Sequence, residues 1–251
     1  MSAPVFVLDR DRLTAGDRVV LDGPEGRHAA TVRRLAPGER VVLTDGRGLT
    51  AYCRVVATAR DRLELAVDAR AETPQPRPRL VVVQALPKGD RGELAVETMT
   101  EVGVDVIVPW AAARCVTRWS GPRGDKALQR WRTTAREAAK QSRRVWFPDV
   151  SELVPTSGVV ELLRSAALAV VLHEGATVAL ASLSVATVPV DGDVVIVVGP
   201  EGSLTEEELA AFGAAGATAY RLGPTVLRTS TAGPAALAVL LARTDRWVSE
   251  P

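Results

Sequence analysis

The chain has 251 residues, 47% of them hydrophobic and 24% charged, with a formal net charge of +1. That composition excludes disordered and low-complexity classes, and at roughly 150 residues per domain the length fits one large or two small domains. The longest nearly pure apolar run, Ala235–Ala242, falls well short of the about 20 residues that cross a bilayer, and neither the N-terminal ten residues nor the widely separated Cys53, Cys115, His28 and His173 read as a secretory signal, a disulfide framework or a metal centre. The expectation is a soluble cytoplasmic protein with no membrane segment and no metal.

In chain order, Arg18–Leu21, Glu39–Thr44, Leu49–Ala57 and Arg62–Ala69 read as short strands rich in valine and leucine. Turn signals separate them: Pro37-Gly38, the Gly46–Gly48 stretch, and Arg60-Asp61. His28–Leu35 reads as one short helix. Short strands with a single helix over residues 1–72 predict a small β-barrel. Residues 73–79, with prolines at 74, 76 and 78, read as an extended linker that disfavours helix and central strand.

From residue 80 to 251 the rhythm changes. Continuous apolar runs recur at Leu80–Leu86, Val104–Val108, Ala167–Leu172, Val194–Val198 and Ala217–Leu222, as strands buried on both faces of a parallel sheet require. Asp90 with Glu93, and Thr205 with Glu208, read as capping boxes, the first opening a helix that stops near Gly103. A helix over Lys126–Arg144 sets Leu128, Trp131, Ala135 and Ala138 on one face and Arg132, Arg136, Lys140 and Arg143 on the other. A last, Ala/Leu-rich helix over Thr231–Trp247 reads as buried. The alternation predicts an α/β domain with helices covering the sheet.

Charge is segregated. Residues 114–146 carry ten basic and two acidic side chains, whereas 147–251 carry five and twelve. The basic block fits a phosphate-bearing partner or a solvated helix face in an arginine-rich protein. Ligands of open parallel sheets bind at the C-terminal strand ends. Three such ends are unusual here: Leu172–Gly175 (LHEG), Val198–Ser203 (VGPEGS) and Leu222–Gly233 (LGPTVLRTSTAG). By itself His173 reads as a structural histidine at a strand end. A P-loop, a nucleophile elbow and a dinucleotide fingerprint after Leu80–Leu86 are all missing from the sequence. The one GxGxxA, Gly46–Ala51, lies among strands and reads as a hairpin turn.

These segments resemble the family of 16S ribosomal RNA (uracil-N3)-methyltransferases, in the SPOUT class of knotted methyltransferases. His28–Glu39 with Leu43–Gly48 is similar to the family's HxxxVLRxxxGD…DGxG signature. Pro87–Arg91, Glu97–Val104 and Trp131–Pro148 match its next segments in order. His173-Glu174, Gly199–Gly202 and Leu222…Leu227-Arg228-Thr229 complete the pattern. The departures are Ser203 after PEG, where the family usually has a second glycine, Ser230 in place of an acidic residue, and Pro4-Val5 before the first phenylalanine instead of an arginine.

The resemblance implies an N-terminal PUA-like β-barrel followed by a SPOUT α/β domain with a deep C-terminal trefoil knot. It implies S-adenosylmethionine as cofactor, held by Leu172, His173, Glu174, Gly175, Gly199, Pro200, Gly202, Leu222, Gly223, Leu227, Ser230, Thr231 and Ala232. It implies 16S rRNA of the small ribosomal subunit as partner, met by His28, Arg33, Arg34, Lys88, Arg91, Arg132, Arg136, Lys140, Gln141, Arg143 and Arg144. It also implies a homodimer, with the 231–247 helix either at its interface or in the chain's own core. Uracil N3 is protonated and a poor nucleophile, so its methylation needs help with proton loss. Arg228 is the candidate to stabilise the developing anion and Glu201 the candidate proton acceptor. The alternatives are a SPOUT enzyme of other RNA specificity and a non-catalytic RNA-binding assembly factor.

Overall fold

The computed structural model describes residues 3–248; the outer limits of the two expected domains, residues 1 and 251, lie outside them. The chain forms two compact units. One comprises the residues up to Gln75 together with Ala139–Phe147, the other Pro76–Ala138 and the chain from Pro148 onward.

The first unit contains β1 (Val5–Val7), α1 (Arg10–Thr14), β2 (Arg18–Leu21), α2 (Gly23–Arg27), β3 (Arg40–Thr44), β4 (Leu49–Thr58) and β5 (Leu63–Glu72). The strands make one sheet in the order β1-β3-β4-β5-β2, a half-barrel in which only β1 and β3 run parallel. Period-two alternation turns Val19, Leu21, Val41, Leu43, Ala51, Cys53, Val55, Leu63 and Leu65 into one core. The short β1 and α1 carry no periodic signal and go unseen in the sequence. The expected His28–Leu35 helix is displaced: helix begins at Gly23 and continues as a wider π-type turn over His28–Val32. The reason is Pro24, which fits the first helical turn, where its missing N–H costs nothing.

Gly46 and Gly48 make the β3–β4 turn with φ of +69° and +105°. A Cβ on Gly48 would lie 2.9 Å from the Trp146 ring, so glycine is required twice over. The same turn ties Ala139–Phe147 into this unit. Phe147 N–H donates to Gly46 O at 2.9 Å and Trp146 Nε1 to Thr73 O at 2.8 Å.

The second unit contains β6 (Arg79–Ala85), α3 (Arg91–Val102), β7 (Val106–Trp110), α4 (Gly121–Gln141, its last turn belonging to the first unit), β8 (Asp149–Val150), α5 (Thr156–Ser165), β9 (Leu168–Leu172), β10 (Asp193–Val198), α6 (Glu206–Ala214), β11 (Thr218–Tyr220) and α7 (Thr229–Leu241). Its sheet runs β11-β9-β10-β6-β7-β8, with every pairing parallel. The strand expected at Val104–Val108 starts two residues later, because Gly103 ends α3 at φ +123° and Val104 N–H is still bonded to Met99 O. Thr205 and Glu208 form the expected capping box; Asp90 makes no side-chain cap bond. The long helix starts five residues before the expected Lys126 and stops at Gln141, with Leu128, Trp131, Ala135 and Ala138 buried as expected. The last helix ends at Leu241, and Trp247, expected within it, is half exposed. α7 buries Ala232, Ala236, Leu237, Leu240 and Leu241 in its own chain. No helix among the described residues is long and apolar enough to cross a membrane.

Two polar clamps sit at the lower edge of this sheet. Arg79 donates twice to Asp193, at 2.8 and 2.7 Å, across the paired first residues of β6 and β10. Arg246 donates to Asp105 at 2.6 and 3.2 Å and to Pro78 O and Gly103 O, while Asp105 also accepts Leu80 N–H at 2.8 Å. The Asp105 side chain is 4% exposed and that of Arg246 11%. Removing one member of such a pair strands a buried charge, so Arg246→Ala should cost about 3–5 kcal/mol. Urea denaturation measures it; an unchanged midpoint would show that the clamp contributes nothing.

Candidate functional site

Leu172, Val198 and Tyr220 end β9, β10 and β11 side by side in the sheet register. The loops that follow therefore leave at one level and close on one cavity of about 340 Å3, within the roughly 300–1,000 Å3 typical of small-molecule pockets. Its wall includes Leu172, His173 and Glu174 from the first loop and Gly199, Pro200, Glu201, Ser203 and Leu204 from the second. The third loop gives Arg221 through Arg228, and α7 adds Thr229 and Ala232. Of the residues the sequence pointed to, Gly175, Gly202, Ser230 and Thr231 are off this wall. Ser230 is buried. Gly202 packs on Arg114, whose Nη1 donates to Gly202 O at 3.2 Å and Leu204 O at 3.3 Å.

The first two loops are joined. Ser203 Oγ donates to Glu174 Oε1 at 2.8 Å. Backbone hydrogen bonding at Glu174 itself, and then the Ser203 hydroxyl, hold the Glu174 carboxyl below the usual carboxylate range. Ser203 stands at φ +61°, where a glycine would carry no strain. His173 accepts Gly175 N–H on ring Nδ1 at 3.2 Å, and its backbone N–H donates to Tyr220 O at 2.9 Å. The ring thus braces the turn.

The two candidate catalytic groups share the cavity wall. Glu201 Oε1 accepts Lys88 N–H at 3.2 Å. Arg228 is exposed and its guanidinium has no ionic partner among the described residues. Arg91, which the sequence grouped with the RNA contacts, also lines the cavity, as does Arg221. Arg221 and the brace from Arg114 escaped sequence reasoning; the only available signal was their position beside the loop motifs.

The walls fit S-adenosylmethionine in character. Leu172, Val198, Leu222, Leu227 and Ala232 offer apolar surface for an adenine, and the Gly/Pro-rich loops bring backbone polar groups close.

The basic candidates separate into three kinds. Arg33, Arg34, Lys88, Arg136, Gln141 and Arg143 are exposed, Arg144 is partly buried, and His28 is half-buried edge-on to Phe6 with ring centroids 5.8 Å apart. Arg132 is engaged by Val150 O and by Glu152 at 2.7 Å. Lys140 departs from the expected solvent face: it is buried and pairs with Glu25 at 2.9 Å, because the last turn of α4 packs inside the first unit. Among the described residues the non-glycine positions with left-handed backbone are Arg34, Arg143 and Ser203, all within segments singled out by sequence. Such strain gathers where surroundings enforce a function. Among the described residues there is no cluster that could hold a metal ion.

Comparison with known proteins follows the same outline. Residues 73–241 match the family model described as an RNA methyltransferase domain, and residues 21–68 that of an RNA methyltransferase PUA domain. The chain is 48% identical to ribosomal RNA small subunit methyltransferase E of Mycobacterium bovis over 98% of its own length and 94% of that protein's. It is 27% identical to the Bacillus subtilis protein of the same name, over 95% of each. The crystal structure of ribosomal RNA small subunit methyltransferase E from Neisseria gonorrhoeae bound to S-adenosylmethionine superposes with a TM-score of 0.81 at 27% identity, covering 96% of this chain and 98% of that one.

The Ser203–Glu174 bond generates a paired prediction. Ser203→Ala loses a hydrogen bond but keeps the left-handed backbone, and should cost about 1 kcal/mol. Ser203→Gly loses the same bond and sheds strain of similar size, so its melting temperature should stay near wild type. Glu174 is depressed when folded, so the bond contributes fully above the ordinary carboxylate pKa and fades as pH falls through the depressed one. The gap between wild type and Ser203→Ala should narrow over that descent. Equal melting of all three proteins at neutral pH would contradict the bond's role.

Proposed function

Since the chain belongs to the ribosomal RNA small subunit methyltransferase E family, we propose that it uses S-adenosylmethionine to methylate N3 of one uridine of 16S rRNA on the assembled small subunit. The observation that carries the reading is the cavity at three level strand ends, walled by Arg228 and Glu201 together with the apolar loop residues. We further assign the loops at 199–203 and 222–233 to a trefoil knot and the working form to a homodimer. For the dimer, α7 commits Ala236, Leu237, Leu240 and Leu241 to its own chain and leaves Pro234, Ala235, Ala238 and Val239 partly exposed on its other side.

S-adenosylmethionine, when bound, supplies an electrophilic methyl group. Leu172, Gly199, Leu222, Gly223, Leu227 and Ala232 would hold it. The protein's task is to present an unpaired uracil with N3 deprotonated. The target base has to leave any helix, since N3 lies on the pairing edge. Arg228 carries a full charge uncommitted to any carboxylate among the described residues, so it can meet negative charge growing on a uracil carbonyl. Glu201, fixed by the Lys88 amide through one carboxylate oxygen, keeps the other to accept the N3 proton. The exposed Arg33, Arg34, Arg136 and Arg143 would meet phosphates, which position rather than specify. Arg132 and Lys140 serve inside the protein.

The test is methyl transfer to purified small subunits that lack the modification, with nucleoside mass spectrometry of the product. It should yield 3-methyluridine at one position; methyl on a ribose oxygen, or none, would overturn the assignment. In the same assay Arg228→Ala should lower the single-turnover rate about 10²–10³-fold with little change in S-adenosylmethionine affinity. Raising the pH should rescue it in part, because more uracil is then ionised. A loss confined to cofactor affinity would make Arg228 a cofactor-loop residue instead.

A further inference from the structure

A second concavity lies wholly within the first unit, on the outer face of β3 and β4. It is a groove of about 1040 Å3 bordered by Val32, Arg33, Arg40, Val42, Tyr52 and Asp68. We propose that this groove seats an unpaired stretch of the RNA substrate, with one base stacked on Tyr52 and the neighbouring phosphates on Arg33 and Arg40. The proposal rests on the RNA-methyltransferase reading and adds a contact site to it.

Sheet register builds the face. Val42 is opposite Tyr52, and Arg40 is opposite Arg54. The residues between them, Val41, Ala51 and Cys53, point into the core. Alternation therefore commits Arg40, Val42, Tyr52 and Arg54 to the outside. Two arginines directly opposite each other on antiparallel strands repel. Arg54 is relieved by Asp68 at 3.3 Å. Asp68 owes its place to an irregularity of the ladder: β5 carries an extra residue where Tyr52 pairs with Ala69 and Cys53 with Val67. Arg40 receives no such relief and has no ionic partner among the described residues, nor does Arg33. The remaining carboxylate of the groove, Glu39, accepts Ala36 N–H at 2.6 Å through one oxygen and forms no ion pair with Arg33 or Arg40 among the described residues. The groove thus keeps two uncommitted cations.

The same groove offers apolar surface. Tyr52 is 50% exposed and Val32 68%. Cations flanking an exposed aromatic ring form the pattern that binds single strands, in which phosphates follow the charge and bases stack on the ring. A duplex hides its base faces and would leave Tyr52 without a partner. An acidic peptide would use the arginines and leave the ring idle.

The test is fluorescence anisotropy of the full chain with labelled decauridylate and with an RNA duplex of equal length, without S-adenosylmethionine, over graded KCl. Wild type should prefer decauridylate. Tyr52→Ala should weaken it roughly tenfold with little change in salt slope, while Tyr52→Phe, which keeps the ring, should stay near wild type. Arg33→Ala with Arg40→Ala should reduce the magnitude of the salt slope by about 1.4, at roughly 0.7 per lost single-strand contact. Calorimetric affinity for S-adenosylmethionine should be unchanged in all variants. The proposal is overturned if wild type does not bind decauridylate, if Tyr52→Ala binds like wild type, or if polyglutamate competes as well as the oligonucleotide. Its failure is separable from that of the catalytic reading. Intact methyl transfer with an idle groove sinks only the groove, whereas groove binding without methyl transfer sinks only the catalytic assignment.

Discussion

Everything at the candidate site depends on the parallel register of β9, β10 and β11, which ends the three strands at Leu172, Val198 and Tyr220 on one level. Hydrophobicity cannot set that register. Val194–Val198 is buried on both faces, so slipping it by one residue would exchange one branched apolar side chain for another, without the inside-out penalty that fixes a half-exposed strand. Polar pairs at the other end of the sheet fix the register of β10 against β6 and of β6 against the segment that enters β7. Arg79 and Asp193 are register partners and bond to each other, and Asp105 joins the Leu80 amide to Arg246. A bidentate arginine–carboxylate pair tolerates little displacement. β10 and β6 are thus pinned at one end, and the loops after β9, β10 and β11 meet at the other.

The charge pattern follows a related division of labour. Residues 147–251 are acidic overall, with only five basic side chains. Among these, Arg243 is spent on the Leu183, Val239 and Ala181 carbonyls, Arg246 on Asp105 and Arg164 on Glu161. Arg221 and Arg228 are the two on the cavity wall. In the basic block the same sorting occurs. Arg114 braces the Gly202 and Leu204 carbonyls, Lys140 is buried with Glu25, and Arg136 and Arg143 are exposed. A count of charges overstates the surface available to phosphate, because part of the block holds the protein together.

Those sortings explain what the sequence could and could not reveal. The loops after β9, β10 and β11 were legible because each is a contiguous run whose glycines and prolines interrupt a strand pattern. The Thr205–Glu208 cap was legible because all its parts lie within four residues. Asp90 and Glu93 have the same spacing, yet Asp90 makes no cap bond. Burial of Lys140 depends on Glu25, far away in the chain, and helical spacing carries no trace of it. Strands of two or three residues, such as β8 and β1, are too short to show a period, and only pairing with β7 and β3 defines them. Ser203 was visible as a departure from a familiar pattern, but its bond to Glu174 exists only once two loops are folded side by side.

The central claim is that three loops, brought level by the sheet, act as one cofactor site. Amide hydrogen exchange with and without S-adenosylmethionine tests it most directly. The account predicts slowed exchange in 172–175, 199–204 and 222–229 together, rising over one shared concentration range. Protection of only one of these segments, or protection centred elsewhere in the chain, would contradict it.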